Sequence, residues 1–122
     1  MTDIQKNVKI LLVDDEPLIR KIFVQALSKE YETVEAGNSE QALELLESEK
    51  PNIVLLDIYM PGMNGIETLK KIKEIDDKII VIMVSAHGTN SMTSKAMELG
   101  AYDFITKPFN LDRLKTLIKS VV

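Results

Sequence analysis

Three apolar runs constrain this chain more than anything else in it. Val8-Lys9-Ile10-Leu11-Leu12-Val13, Asn52-Ile53-Val54-Leu55-Leu56-Asp57 and Ile79 to Val84 are almost continuously hydrophobic and rich in β-branched residues. A strand with one wet face alternates apolar and polar residues. A strand buried on both faces does not, and such strands belong to parallel sheets covered by helices on each side. Two weaker runs, Glu32 to Ala36 and Tyr102 to Thr106, fit outer strands of the same sheet.

Helical periods fill the gaps between the runs. Ile19, Ile22, Phe23, Ala26 and Leu27 make one stripe; Ala42, Leu45 and Leu46 a second; Ile66, Leu69 and Ile72 a third. Met92, Ala96 and Leu99 follow, then Leu111, Leu114, Leu117, Ile118 and Val121. Each recurs at the three-to-four-residue spacing of an amphipathic helix. Pro17 suits a first helical turn, where its missing N–H costs nothing. Asn38 or Ser39 can cap the second helix and Asn110 the last, and Gly100 can close the fourth in a left-handed stop. Met83, Met92 and Met97 read as core filler, and Pro61-Gly62-Met63-Asn64-Gly65 as a turn.

Strict alternation with short connections predicts an α/β fold, a doubly wound (βα)5 parallel sheet with helices on both faces. The expected order is the flavodoxin-like 2-1-3-4-5, with a crevice between the C-terminal ends of the first and third strands. A length of 122 residues is one domain's worth. No linker, repeat or low-complexity segment interrupts it.

Composition removes whole classes of function. There is no cysteine and one histidine, which excludes disulfides, thiolate metal sites and multi-histidine zinc sites. The 19 acidic residues outnumber 15 basic ones, for a net charge of −4. That balance argues against direct nucleic acid binding, which needs a surplus of cations. No signal peptide and no bilayer-length apolar stretch is present, so a cytoplasmic protein without membrane attachment is expected.

The polar residues at the strand ends then carry the chemistry. The first strand runs into Asp14 and Asp15, the third ends in Asp57, the fourth reaches Ser85 and the fifth Lys107. In a parallel sheet these ends share one edge, so residues distant in sequence converge. Clustered carboxylates repel one another, and a divalent cation relieves the repulsion. With oxygen donors alone the fitting ion is Mg²⁺, with Mn²⁺ as a substitute. A carboxylate is a competent covalent phosphoryl acceptor. Lys107 offers a positive charge and Ser85 a hydroxyl to the transferring group.

With these residues in place, the sequence resembles the receiver domains of two-component response regulators. The resemblance rests on Leu12-Val13-Asp14-Asp15-Glu16-Pro17, Leu55-Leu56-Asp57-Ile58-Tyr59-Met60-Pro61-Gly62-Met63-Asn64-Gly65, Val84-Ser85-Ala86-His87-Gly88 and Gly100-Ala101-Tyr102-Asp103-Phe104-Ile105-Thr106-Lys107-Pro108-Phe109. It makes 1–122 a single receiver domain, with 1–7 as an N-terminal extension and the core from about 8. It implies Asp57 as phosphoacceptor and Mg²⁺ held by Asp14, Asp15, Asp57 and the Tyr59 backbone carbonyl. Ser85 and Phe104 would be the switch pair, and Lys107 would bind the phosphoryl group. Tyr59 and His87 occupy positions that tune phosphoryl lifetime in such domains, and their rings are expected to slow self-hydrolysis. The donor would be a phosphohistidine of a sensor histidine kinase or histidine phosphotransfer protein, docking near Glu16, Leu18, Ile19, Pro108 and Phe109. Readout would pass through the fourth helix, fifth strand and fifth helix. The domain would be a signalling phosphoacceptor and not an enzyme, although it assists its own phosphorylation and dephosphorylation.

The sequence ends at Val122, directly after the fifth helical period. That fits a stand-alone receiver of the chemotaxis or sporulation-phosphorelay kind, or the receiver part of a larger DNA-binding regulator. Two other classes share the architecture. A small Mg²⁺-dependent phosphohydrolase of the haloacid-dehalogenase kind would carry Asp-x-Asp after the first strand, whereas Asp14 and Asp15 are adjacent. A flavin or nucleotide module would need a Gly- or Ser/Thr-rich phosphate loop there, and Asp14-Asp15-Glu16 would repel one.

Overall fold

A computed structural model describes residues 5–58, 64–85, 90–106 and 110–121, with the side chains of 5–7 and 90 outside the description. Five strands and five helices alternate: β1 (Gln5–Val13), α1 (Pro17–Leu27), β2 (Tyr31–Ala36), α2 (Ser39–Glu49), β3 (Ile53–Asp57), α3 (Gly65–Ile75), β4 (Ile80–Ser85), α4 (Asn90–Glu98), β5 (Asp103–Thr106) and α5 (Leu111–Val121). The sheet is parallel throughout, in the order β2-β1-β3-β4-β5. The predicted architecture and strand order are those observed. β1 begins at Gln5, three residues before its apolar run.

Continuous apolar runs give two cores. Side chains alternate across a strand, so Leu11, Val13, Val54, Leu56, Val81 and Met83 face one way. They pack against Ala42 and Leu46 of α2, Leu69 and Ile72 of α3, and Ala96 of α4. Ile10, Leu12, Ile53, Leu55, Ile82, Val84 and Ile105 face the other way, against Phe23 and Leu27 of α1 and Leu114 and Ile118 of α5. Each fully buried aliphatic side chain contributes about 1.5–3 kcal/mol relative to exposure. A polar residue inside any run would therefore be costly, and polar residues are left to the ends.

Helix termini follow their signals. Asn38 caps α2 by accepting from the Gln41 N–H at 2.8 Å, and Asn110 accepts from the Arg113 N–H at 3.1 Å. Pro17 opens α1. Gly100 follows α4 with φ +103°, a conformation that only glycine adopts easily. Two expectations need correction. Met97 is exposed, because it lies about 100° round α4 from the buried Ala96. Gly65 is not a turn residue: it is the first residue of α3, and Asn64 is that helix's N-cap, accepting from the Glu67 N–H at 2.9 Å.

Candidate functional site

The C-terminal edge of the sheet collects the polar residues the apolar runs exclude. Val13 pairs with Leu56 in the register of β1 and β3, so Asp14 and Asp57, the next residues along, stand side by side. Both are buried, 3% and 5% exposed. The Asp14 N–H donates to the Ala36 carbonyl at 3.1 Å, and its Oδ1 accepts from the Glu16 N–H at 2.9 Å. One carboxylate oxygen from each of Asp14, Asp15 and Glu16 lies within 4.8 Å of the others. Ser85 ends β4, fully buried, and pairs with Thr106 of β5. Phe104 is half-buried against the core layer that contains Met83, its partner across the strands. Ser85 and Phe104 thus lie on the same face of adjacent strands, two residues apart in register.

Two features of this edge were not read from the sequence. Arg20 donates through Nη1 to the backbone carbonyl of Asp14 and through Nε to Glu35 at 3.1 Å. It brings a guanidinium to the acidic cluster from α1 and ties the end of β1 to β2. A lone arginine between Ile19 and Lys21 looks like any solvated helix residue, so no pattern announces it. Ser39 and Thr68, in the first turns of α2 and α3, share a buried 2.6 Å hydrogen bond. Thr68 also bonds the Asn64 carbonyl at 3.0 Å. Hydroxyls two elements apart become neighbours only once the helices pack.

The expected docking residues divide. Leu18 is 68% exposed and so does not pad the core, while Ile19 packs partly on the α1 and α5 layer. Glu16 joins the acidic cluster. Lys107, Tyr59, His87, Pro108 and Phe109 lie outside the described residues.

A buried acidic pair beneath an oxygen-rich edge, with a hydroxyl on the next strand, has clear counterparts. Residues 10–119 match the family described as the response regulator receiver domain. The chain belongs to that family. This receiver is 44% identical over 114 residues to the sporulation initiation phosphotransferase F of Bacillus subtilis (strain 168), spanning 93% of this chain and 92% of that protein. It is 43% identical over 116 residues to the chemotaxis protein CheY of the same organism, covering 93% and 97%. A crystal structure of a CheY-like response regulator receiver domain protein from Methanospirillum hungatei JF-1 superposes with a TM-score of 0.88 at 30% identity, covering 93% of each chain. The receiver is therefore a phosphoacceptor module of two-component signalling. Among the described residues, no helix is long and apolar enough to cross a membrane.

Proposed function

We propose that this receiver takes a phosphoryl group from a phosphohistidine onto Asp57 and passes the change to a protein partner. The burial of Asp57 beside Asp14, at the register position after the Val13–Leu56 pair, carries this reading. A carboxylate oxygen of Asp57 forms the bond to phosphorus as the donor's N–P bond breaks. The electron pair leaves on the imidazole, which takes up a proton. Lys107 supplies a positive charge to the phosphoryl oxygens, and the Ser85 hydroxyl donates to one of them.

The acidic edge fits Mg²⁺. Hard oxygen donors within 4.8 Å, with no nitrogen or sulfur ligand among the described residues, suit that ion. Asp14, Asp15, Asp57 and the Tyr59 carbonyl would hold it, with Glu16 at the rim. Bound there, the ion offsets carboxylate repulsion and the charge of the incoming group. Ser85 moving toward the phosphoryl group frees space on the face it shares with Phe104, and rotation of that ring is the switch. Tyr59 and His87 crowd the attacking water and lengthen the phosphoryl lifetime. The kinase or phosphotransfer partner docks on Leu18, whose exposed side chain offers an apolar contact, with Glu16, Ile19, Pro108 and Phe109 as the other proposed docking residues. The receiver domain spans residues 1–122, works in the cytoplasm and does not itself bind nucleic acid.

Acetyl phosphate with and without Mg²⁺, read by intact mass, tests the assignment. One Mg²⁺-dependent adduct is expected, absent from Asp57→Asn. An adduct that survives that substitution refutes Asp57 as the acceptor. Steady turnover of a small phosphoester would instead support the hydrolase class.

A further inference from the structure

We infer that Gly65 is a positioning residue for the phosphoacceptor, resting on the reading of Asp57 above: the first residue of α3 lies so close to the Asp57–Ile58 backbone that any side chain there displaces the acceptor. A Cβ built on Gly65 would sit 2.5 Å from the Ile58 Cα and 2.6 Å from the Asp57 carbonyl oxygen. Both are backbone atoms, so no rotamer change relieves the overlap. The Gly65 N–H donates to the Ile58 carbonyl at 2.7 Å, which fixes the approach from the other side. Glycine is needed here for close backbone contact and not for an unusual φ.

The first turn of α3, which begins at Gly65, is itself held. The Asn64 side chain caps α3 through the Glu67 N–H. Thr68 bonds the Asn64 carbonyl and, at 2.6 Å, the buried Ser39 hydroxyl of α2. The fully buried Leu69 and Ile72 fix the next turns against the sheet. With α3 anchored at three points, an added methyl at 65 cannot be absorbed by the helix alone. Part of the displacement passes into the Asp57–Ile58 peptide. Asp57 is the last residue of β3, paired with Val84 of β4. Phosphoryl transfer depends on alignment of the attacking oxygen, and a misplacement of about 1 Å costs on the order of 100-fold. Gly65 therefore acts on the rate of transfer through Asp57 without touching the phosphoryl group.

The test compares Gly65→Ala with Ile72→Val, a core substitution in the same helix, at a temperature where circular dichroism shows both folded. The maximal rate of adduct formation is measured at saturating acetyl phosphate and Mg²⁺. Gly65→Ala is expected at least tenfold slower than wild type and Ile72→Val within twofold. In the metal-free protein, the Asp57 and Ile58 amide resonances of Gly65→Ala should move more than those of Ile72→Val. A Gly65→Ala rate within twofold of wild type overturns the inference while leaving Asp57 as the acceptor. Wild type without an Asp57-dependent adduct overturns both. Should Gly65→Ala not fold, Thr68→Val decides: it loosens the same turn without a clash. At least threefold slowing supports the inference, and less overturns it.

Discussion

The two edges of the sheet use polar residues in opposite ways. At the N-terminal edge, polar groups are spent on structure and sit near water. Lys9 bonds Glu49 at 2.9 Å and pairs with Glu32 at 3.6 Å, while the Asn52 side chain accepts from the Lys9 N–H. Lys73 donates to the carbonyls of Asp77 and Ile79. At the C-terminal edge, charges of one sign are crowded and partly buried. The buried polar residues among those described are Asp14, Ser39, Asp57, Thr68 and Ser85. All five end a strand, follow one, or lie in the first turn of the next helix. One edge is built for stability; the other crowds carboxylates whose mutual repulsion the proposed cation would relieve.

The largest expected effect lies at the crowded edge. Asp15→Asn removes one carboxylate of the cluster. Mg²⁺ affinity should fall at least tenfold, because a charged ligand is lost. The metal-free variant should melt above the metal-free wild type, because like charges no longer repel. Thermal scans across a Mg²⁺ series measure both, since a ligand that binds only the folded state raises its stability with concentration. A variant that melts lower without metal and gains as much as wild type from Mg²⁺ would mean that Asp15 is only a turn residue.

How much of this was legible in the sequence follows the same division. The apolar runs pointed to a parallel sheet covered on both faces, because a strand with one wet face would alternate. The strand order came from the strict alternation of strands and helices and the flavodoxin-like pattern it fits. Asp14, Asp57 and Ser85 could be placed because they follow those runs directly. Arg20, Gly65, Ser39 and Thr68 could not, since each matters through a contact between elements. Gly65 sat inside a stretch that reads as a turn, and only the approach of α3 to β3 reveals it as a spacer. Lys50 closes α2 at φ 50°, a left-handed position with no glycine or asparagine to announce it.

Arg20 and Lys9 make the comparison directly, since each cation braces β1 against β2, one at each edge. The Arg20 side chain is 18% exposed and that of Lys9 25%. Arg20→Met keeps the stem but removes the Asp14 carbonyl bond and the Glu35 ion pair. Hydrogen bonds to charged groups contribute about 1.5–3 kcal/mol, so a loss of about 1.5 kcal/mol is expected in urea unfolding. The loss should be greatest without metal, when no Mg²⁺ shares with the guanidinium in offsetting the carboxylate charge. An equal loss with and without Mg²⁺ would make Arg20 an ordinary brace.

Lys9→Met should have the smaller effect, and its dependence on pH separates it from Arg20. The hydrogen bond to Glu49 holds the Lys9 ammonium above the ordinary lysine value of 10.5, against a smaller opposing effect of burial, with Glu32 adding to the rise. A raised pKa in the folded state means that folding favours the proton. The stabilisation is then fully present below the unfolded value and is lost as pH climbs through the folded one. Wild type should unfold at higher urea than Lys9→Met at neutral pH, and the gap should close as pH passes above 10.5. Arginine keeps its charge there, so the gap between wild type and Arg20→Met should persist over the same range. If the Lys9 gap persists as well, its packing along the sheet edge, and not its charge, makes the brace.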